Sequence, residues 1–299
     1  MRLESVCVNS KTKARKIKNI GKIMRFAIID NNRVEAKSEL KEALCPVCSK
    51  PVIAKCGKQR IHHWAHRTNK TCDSWWESET EWHRSWKNNF SVEWQEVCLT
   101  DEQTGEKHIA DVCINNGIVI EFQHSHLDAK ERVMREQFYK NMIWVVDGTR
   151  LKRDYSRFIK GNQDYFKSTN TQGYFLVNFP DKCFSREWIE SSVPVLFDFR
   201  GSVSATEPQD VIRDTLWCIL PGRLGNSMVV IAISRIDFIP AILNNPQLFQ
   251  NIINNIRQAN TQPRMIRLPV NVYRRYRGSL IDNMQYQQRR YKHKARRRF

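Results

Sequence analysis

Asp111 and Glu121 stand in otherwise apolar runs, His108-Ile-Ala-Asp111-Val-Cys-Ile114 and Ile118-Val-Ile-Glu121-Phe-Gln123, on either side of Asn115-Asn116-Gly117. A carboxylate buried in such a run is costly unless a cation neutralises it. Two that face each other are a donor set for a hard divalent metal. Whether they face each other depends on the loop. Directly opposed residues of an antiparallel hairpin share a face. A three-residue loop with Gly117 in the left-handed conformation pairs Ile114 with Ile118, Cys113 with Val119 and Asp111 with Glu121. Such pairs lie about 4.5–5.5 Å apart at Cα. A two-residue turn sets Asp111 opposite Phe122 and puts Glu121 on the other face, so the metal reading requires the odd loop. With no cation present, charges this close raise one pKa strongly.

The flanking segments must position this pair. Before the hairpin, a helical pattern carries Glu79, His83 and Lys87 at i, i+4 and i+8, with Trp75, Trp82, Trp86 and Phe90 near another stripe. Ser74 or Ser78 is the expected N-cap, each followed three residues on by a Glu (Glu77, Glu81). By periodicity alone, the polar stripe is a solvated face with ordinary ion pairs. Ser91 to Cys98 is expected to be a strand. After the hairpin, Ser125 or Asp128 starts a second helix, running to Asn141. Leu127, Met134, Phe138 and Met142 are expected inward, with Glu131, Arg135 and Tyr139 on another face. Ile143-Trp-Val-Val-Asp147 suits an interior strand. The order is helix, strand, hairpin, helix, strand.

A second constellation lies upstream. Cys45-Pro-Val-Cys48 sets two thiolates on one knuckle, and His62-His63-Trp-Ala-His66 follows about fifteen residues later, the spacing of a tetrahedral zinc site. His63 and His66 are the preferred second pair. His62 with His66 also works if the segment is helical, and Cys56 and Cys72 compete as fourth ligand. The segment has too few large apolar residues to fold unaided, which suits a structural Zn²⁺. Before it, residues 24–36 read as a short hairpin turning at Asn31-Asn32.

Composition bounds the class. The 299 residues are 41% hydrophobic and 27% charged, as in soluble globular proteins. No apolar run approaches the ~20 residues of a membrane span. Met1-Arg-Leu-Glu-Ser-Val-Cys7 lacks the apolar core of a signal peptide, and nine cysteines suit metal ligands and buried thiols, so a cytoplasmic protein with no membrane partner is expected. The net charge of +18 is concentrated at the ends. Residues 11–25 carry seven Lys/Arg and no acid; residues 274–299 carry ten, with only Asp282 opposing them. Such arms grip polyanions. Arg274, Arg275, Arg277, Arg289, Arg290, Lys292, Lys294, Arg296, Arg297 and Arg298 are the expected nucleic-acid contacts. Interleaved Tyr273, Tyr276, Tyr286, Tyr291 and Phe299 are able to stack on bases. Beyond residue 150, 154–166 reads as a helix, and short apolar strands are expected at 174–179, 195–199, 216–220 and 228–234. A helical pattern interrupted by Pro240 and Pro246 follows. Residues 165–260 form either a second α+β domain or an extension of the first sheet, with no catalytic constellation; Cys183 and Cys218 are core thiols.

Cys45-Pro-Val-Cys48, His63-Trp-Ala-His66, Glu79 with His83 and Lys87, Ala110-Asp111-Val112, Glu121-Phe-Gln123-His-Ser125 and Arg135-x-x-x-Tyr139, in that order and spacing, resemble the CoiA family of competence proteins over about residues 24–147. That family is similar to nucleases of the PD-(D/E)xK, or restriction-endonuclease-like, superfamily, preceded by a zinc-finger-like module. The resemblance implies an α+β fold with an αβββαβ core in which Asp111 and Glu121 bind Mg²⁺ or Mn²⁺. Glu79 is implied as a further carboxylate, with His83 beside it. The superfamily's Lys two residues after the Glu is Gln123 here, as in the CoiA-like pattern; Lys87 or Arg135 then supplies positive charge, and Tyr139 contacts the backbone or braces the site. The expected organisation is a basic arm (1–23), a hairpin plus zinc-finger-like module (24–73), a nuclease-like core (74–150), a C-terminal α+β region (151–262) and a basic tail (263–299). The expected function is metal-dependent hydrolysis of DNA phosphodiester bonds in competence, recombination or defence. DNA is the partner, beside other recombination or defence proteins. The alternative is a non-catalytic nucleic-acid binder with a degenerate nuclease core.

Overall fold

A computed structural model describes residues 23–58, 60–67, 72–75, 79–201 and 211–261, the last three by backbone alone. The N-terminal basic arm up to residue 22, and the basic tail with Arg274 to Arg298, lie outside the described residues, as do Glu77 and Ser78.

Two sheets organise a mixed α+β fold. The first contains β1 (Ile23–Met24), β2 (Phe26–Ile29), β3 (Asn32–Glu35), β4 (Glu42–Leu44), β5 (Pro51–Lys55) and β6 (His63–His66), all antiparallel, in the order β1-β6-β5-β4-β2-β3. The β2–β3 hairpin turns at Asp30 (φ +47°) and Asn31 (φ +62°), residue types that tolerate the left-handed region a two-residue loop demands. The core of this sheet is small: Met24, Ala27, Ala43, Cys45, Val52 and Trp64 dominate it.

The second sheet has nine strands: β7 (Gln95–Thr100), β8 (Lys107–Cys113), β9 (Val119–Gln123), β10 (Met142–Asp147), β11 (Phe166–Ser168), β12 (Tyr174–Val177), β13 (Val195–Asp198), β14 (Thr215–Ile219) and β15 (Met228–Ser234). Their order is β11-β12-β15-β14-β13-β10-β9-β8-β7. β9, β10 and β13 run parallel and every other pairing is antiparallel. The parallel strands are buried on both faces, which is why they read as near-continuous apolar runs. The helices are α1 (Glu81–Lys87), α2 (Ala129–Tyr139), α3 (Lys152–Tyr165), α4 (Arg186–Ile189), α5 (Arg235–Asn244) and α6 (Leu248–Thr261). Trp82 and Trp86 of α1 join Phe238, Phe249 and Ile252 of α5 and α6 in one core cluster. Tyr139, Phe158, Phe184 and Trp188 belong to the other. The expected C-terminal strands continue the first core's sheet, β13 pairing with β10 through Trp144 opposite Val195. No helix among the described residues is long and apolar enough to cross a membrane.

Three local expectations change. The first helix starts at Glu81, capped by Thr80 and not Ser74; Thr80 N–H donates to His83 Nδ1 at 3.2 Å, so a histidine closes the capping box where a Glu was expected. Trp75 and Glu79 consequently precede the helix, and His83 and Lys87 face the interior instead of solvent. The segment from Ser91 makes one tight turn at Val92–Trp94 before the strand begins at Gln95. In α2, capped by Asp128, the buried side chains are Arg132, Arg135, Glu136 and Tyr139, while Met134, expected inward, is half exposed. Buried ion pairs, Arg132 with Glu136 and Arg135 with Glu121, override the apolar pattern there.

Candidate active site

Gly117 N–H donates to Ile114 O at 2.8 Å, Ile114 N–H to Ile118 O at 3.1 Å, and Gly117 has φ +79°: the loop is three residues long. Cys113 pairs with Val119 and Val112 with Ile120, a register that puts Asp111 opposite Glu121. At that position side chains replace the ladder. Asp111 N–H donates to Glu121 Oε1 at 3.0 Å, and Phe122 N–H donates to Asp111 Oδ2 at 3.0 Å. The other oxygen of each carboxylate faces a cationic side chain. Asp111 Oδ1 lies 3.9 Å from Lys87 Nζ, and Glu121 Oε2 accepts from Arg135 at 3.1 Å.

Both acids line a cleft of about 60 Å³ with Glu79, His83, Lys87, Glu96 and Arg135. Lys87 is buried, its Nζ 2.6 Å from Glu79 Oε1 and 2.9 Å from Glu96 Oε1. Burial alone would lower its pKa, but Glu96, Glu79 and Asp111 together hold it above the ordinary lysine range. Glu79 shows the reciprocal balance: burial opposes its ionisation, yet Lys87 and Arg84 bring it down to about 2. Asp111 is raised by burial, which outweighs the pull of Lys87. Burial and the neighbouring Asp111 push Glu121 up to about 8. In the absence of a divalent cation this pair therefore holds a proton at neutral pH. Arg135 is fixed by Glu121, by Glu131 and by the Trp75 carbonyl at 2.7 Å. Burial, with Glu121 next, holds the Tyr139 phenol neutral, well above its ordinary pKa.

Glu96 and Asp73 are the site residues that sequence reasoning missed. Glu96 adopts φ +47°, and its Oε2 accepts N–H groups of Arg25 at 2.9 Å and Phe26 at 3.3 Å, so the first sheet is moored against the cleft by the same carboxylate that holds Lys87. Ile23 and Met24 of that sheet form part of the cleft wall. Asp73 accepts from Ile109 N–H at 3.0 Å and from His108 Nδ1 at 2.8 Å at the rim. A single acid within an expected strand (Glu96) or just after a cysteine (Asp73) carries no local signal for either role. Gln123 does not line the cleft. Its Nε2 donates to Ser125 O and Oγ at 3.3 Å, and its buried Oε1 has no hydrogen-bond partner among the described residues. Tyr139 also stays outside the cleft lining, packed edge-on against Trp75.

In the first sheet, Cys45, Cys48, His66 and Cys72 offer ligand atoms that all lie within 4.8 Å of one another. The Cys45 and Cys72 sulfurs are 3.6 Å apart, close to the ~3.8 Å that tetrahedral Zn–S bonds impose. Hydrogen bonding from Cys72, outweighing burial, with help from the Cys48 and Val47 amides, brings the Cys45 thiol down to about 4, ready to ligate. The donor set, three soft thiolates and an imidazole, fits zinc. His63 does not belong to it. Three residues from His66 on a strand, it faces the other side of β6 and its Nδ1 donates to Ile61 O at 2.7 Å. Cys72 takes the fourth place, and Cys56 remains outside the cluster.

Two family models match the chain: Competence protein CoiA, N-terminal domain, over residues 28–74, and Competence protein CoiA, nuclease-like domain, over residues 83–194. Together they span more than half of it. The chain belongs to the CoiA family. The CoiA N-terminal match contains all four members of the Cys₃His cluster, and the nuclease-like match contains Lys87, Glu96, Asp111, Glu121 and Arg135. Among curated proteins and among solved structures, no match was found.

Proposed function

We propose that this CoiA-family chain is a metal-dependent nuclease of PD-(D/E)xK type that hydrolyses phosphodiester bonds of DNA in competence or related DNA processing. The observation that carries the reading is the convergence of Asp111 and Glu121 across the Asn115–Gly117 loop into a cleft that also holds a buried lysine. The donors fit Mg²⁺ or Mn²⁺: all are carboxylate oxygens, and the repulsion that raises Glu121 to about 8 is what a divalent cation would relieve. Asp111 and Glu121 would hold it, and when bound it would polarise a phosphate oxygen and acidify a water.

The chain's own residues set the rest. Lys87, fixed between Glu79 and Glu96, places its ammonium beside Asp111 and offsets charge developing on the phosphate. It thereby fills the role that Gln123 leaves open, since that amide is turned to Ser125. Glu79, paired to both Lys87 and Arg84, orients the lysine and is not a free ligand. Arg135 braces Glu121 from α2. The zinc cluster holds together a sheet whose small core would not suffice alone.

The test incubates linear duplex and single-stranded DNA with Mg²⁺ or Mn²⁺, comparing wild type with Asp111→Ala and Glu121→Ala. Cleavage by wild type that both substitutions abolish supports the reading; equal cleavage by all three proteins overturns it. A non-catalytic DNA-binding protein is the second reading, favoured by Gln123 and by the occupation of Glu121 Oε2 by Arg135. Binding without cleavage in the same assay selects it.

A further inference from the structure

The cleft does not stand alone. A groove of about 400 Å³ meets it at Ile23 and Glu79, running between the β5–β6 loop of the first sheet and the start of α1. Lys58, Arg60 and His62 line the loop side, and all three are exposed. Among the described residues, neither Lys58 nor Arg60 is held in an ion pair. On the opposite side Glu79 is already neutralised by Arg84 and Lys87, which leaves Glu81, among the described residues, as the acid of the groove not engaged that way. Small-molecule pockets are lined mainly by apolar and aromatic side chains; this lining is mainly polar, with two exposed cations along one wall and an already neutralised acid on the other, which suits a phosphate backbone.

The cleft is also partly walled over. Ile23 and Met24 come from the first sheet, and the Arg25 and Phe26 amides bind Glu96 on the edge strand of the second. Glu121 is almost wholly covered, its side chain 5% exposed, and Asp111 reaches 26%. A duplex is a stiff rod with its phosphates on the outside, and it needs an open concave face to bring one of them to buried carboxylates. A single strand bends and can be threaded.

We propose that the groove between the zinc-binding sheet and α1 is a binding track for single-stranded DNA, in which Lys58, Arg60 and His62 hold backbone phosphates and deliver the strand to Asp111 and Glu121. The proposal deepens the nuclease reading and rests on it for the direction of travel, but binding in the groove is measured without cleavage.

The experiment uses the full chain, zinc-loaded and without added Mg²⁺ or Mn²⁺, and follows fluorescence anisotropy of a labelled oligonucleotide, single-stranded or as a blunt duplex, over a salt series. Wild type is expected to bind the single strand at least tenfold tighter than the duplex. Lys58→Gln/Arg60→Gln is expected to lose about tenfold on the single strand, with a salt slope shallower by about 1–2. Zinc content and melting temperature stay those of wild type, because both side chains are exposed. The basic termini can favour a single strand as well, through tyrosines that stack on bases, so the loss in the double variant and the crosslink, not the preference alone, assign binding to the groove. Photo-crosslinking of a bromodeoxyuridine strand should map to the peptide containing residues 58–62. Equal affinity for the two DNA forms, an unaltered double variant, or crosslinks confined to the terminal segments each overturn the track. Should Asp111→Ala still abolish cleavage while the groove variant binds normally, the nuclease reading stands and the track alone falls; the converse result separates them the other way.

Discussion

Lys87 and Asp111 reach the same cleft from different elements, Nζ of the one 3.9 Å from Oδ1 of the other. The lysine comes from the last turn of α1 and the aspartate from the middle of β8. The cleft thus takes a lysine charge from a helix, and it is held there by two further carboxylates, Glu79 and Glu96.

Removing that charge has two separable effects. Lys87→Met is expected to lower the cleavage rate by roughly 10²-fold, as loss of a preorganised electrostatic group does. It should also destabilise the fold by about 3–5 kcal/mol, because buried carboxylates lose their counter-ion. Glu79→Gln/Lys87→Met removes one of those charges, so it should recover part of the stability and none of the rate. Single-turnover cleavage and urea denaturation of the three proteins measure both. Wild-type turnover by Lys87→Met would remove the lysine from the mechanism.

The raised Glu121 pKa fixes a pH window. In the folded chain the group titrates at about 8, against 4.5 for an ordinary glutamate. Between those values the folded state binds a proton that the unfolded state has released, so stability falls as pH rises. The contribution is complete below about pH 4.5 and gone above about pH 8. Glu79, depressed to about 2, acts only on the acid side of that window. Denaturation of zinc-loaded protein without Mg²⁺ should show the slope, and Glu121→Gln should flatten it. Mn²⁺ affinity should climb over the same interval, since the cation displaces the proton. A pH-independent Mn²⁺ affinity between 5 and 8 contradicts a shared Asp111–Glu121 site.

The Asp111–Glu121 register was legible because strand parity and an odd loop leave one answer, and Gly117 at φ +79° adopts it. The zinc knuckle was legible for the same local reason, two cysteines three apart. What could not be read were relationships set by packing between distant segments. Periodicity assigned Met134 inward, whereas α2 buries Arg135 because Glu121, fourteen residues away, needs a cation. Glu96 lay unremarked in an expected strand, and its role is set by the first sheet's amides, which bind it from seventy residues away. The C-terminal strands from Tyr174 onward were readable one by one, whereas Phe166–Ser168 was not, and only the pairing of Trp144 with Val195 shows that they extend the same sheet.

The Cys₃His cluster gives a prediction in which two residues of the same segment behave oppositely. Cys72→Ser is expected to cut zinc content severely and unfold the first sheet, since that sheet's core is small and its four ligands are shared among a knuckle, a strand end and a loop. His63→Ala should keep full zinc stoichiometry, its imidazole being committed to the Ile61 carbonyl. Atomic absorption after gel filtration reads both. Zinc retained in Cys72→Ser and lost in His63→Ala would reverse the ligand assignment.

Glu96 tests whether the two sheets are coupled through the cleft. Its carboxylate takes two amides from the first sheet and the Lys87 ammonium, so Glu96→Ala should cost several kcal/mol (on the order of 3, for a buried charge network broken on one side) and depress cleavage along with stability. The backbone adds a second, sharper signature. At φ +47° any side chain is strained by about 1 kcal/mol or more, and glycine is not. Glu96→Gly should therefore be the more stable of the two variants by about 1 kcal/mol, although both lack the carboxylate and glycine ordinarily weakens a strand. Both should lose cleavage to the same extent, because the lysine loses the same one of its two close carboxylate partners in each. If alanine proves more stable than glycine at this position, Glu96 is not left-handed in solution, and the mooring of the first sheet to the lysine must be abandoned with it.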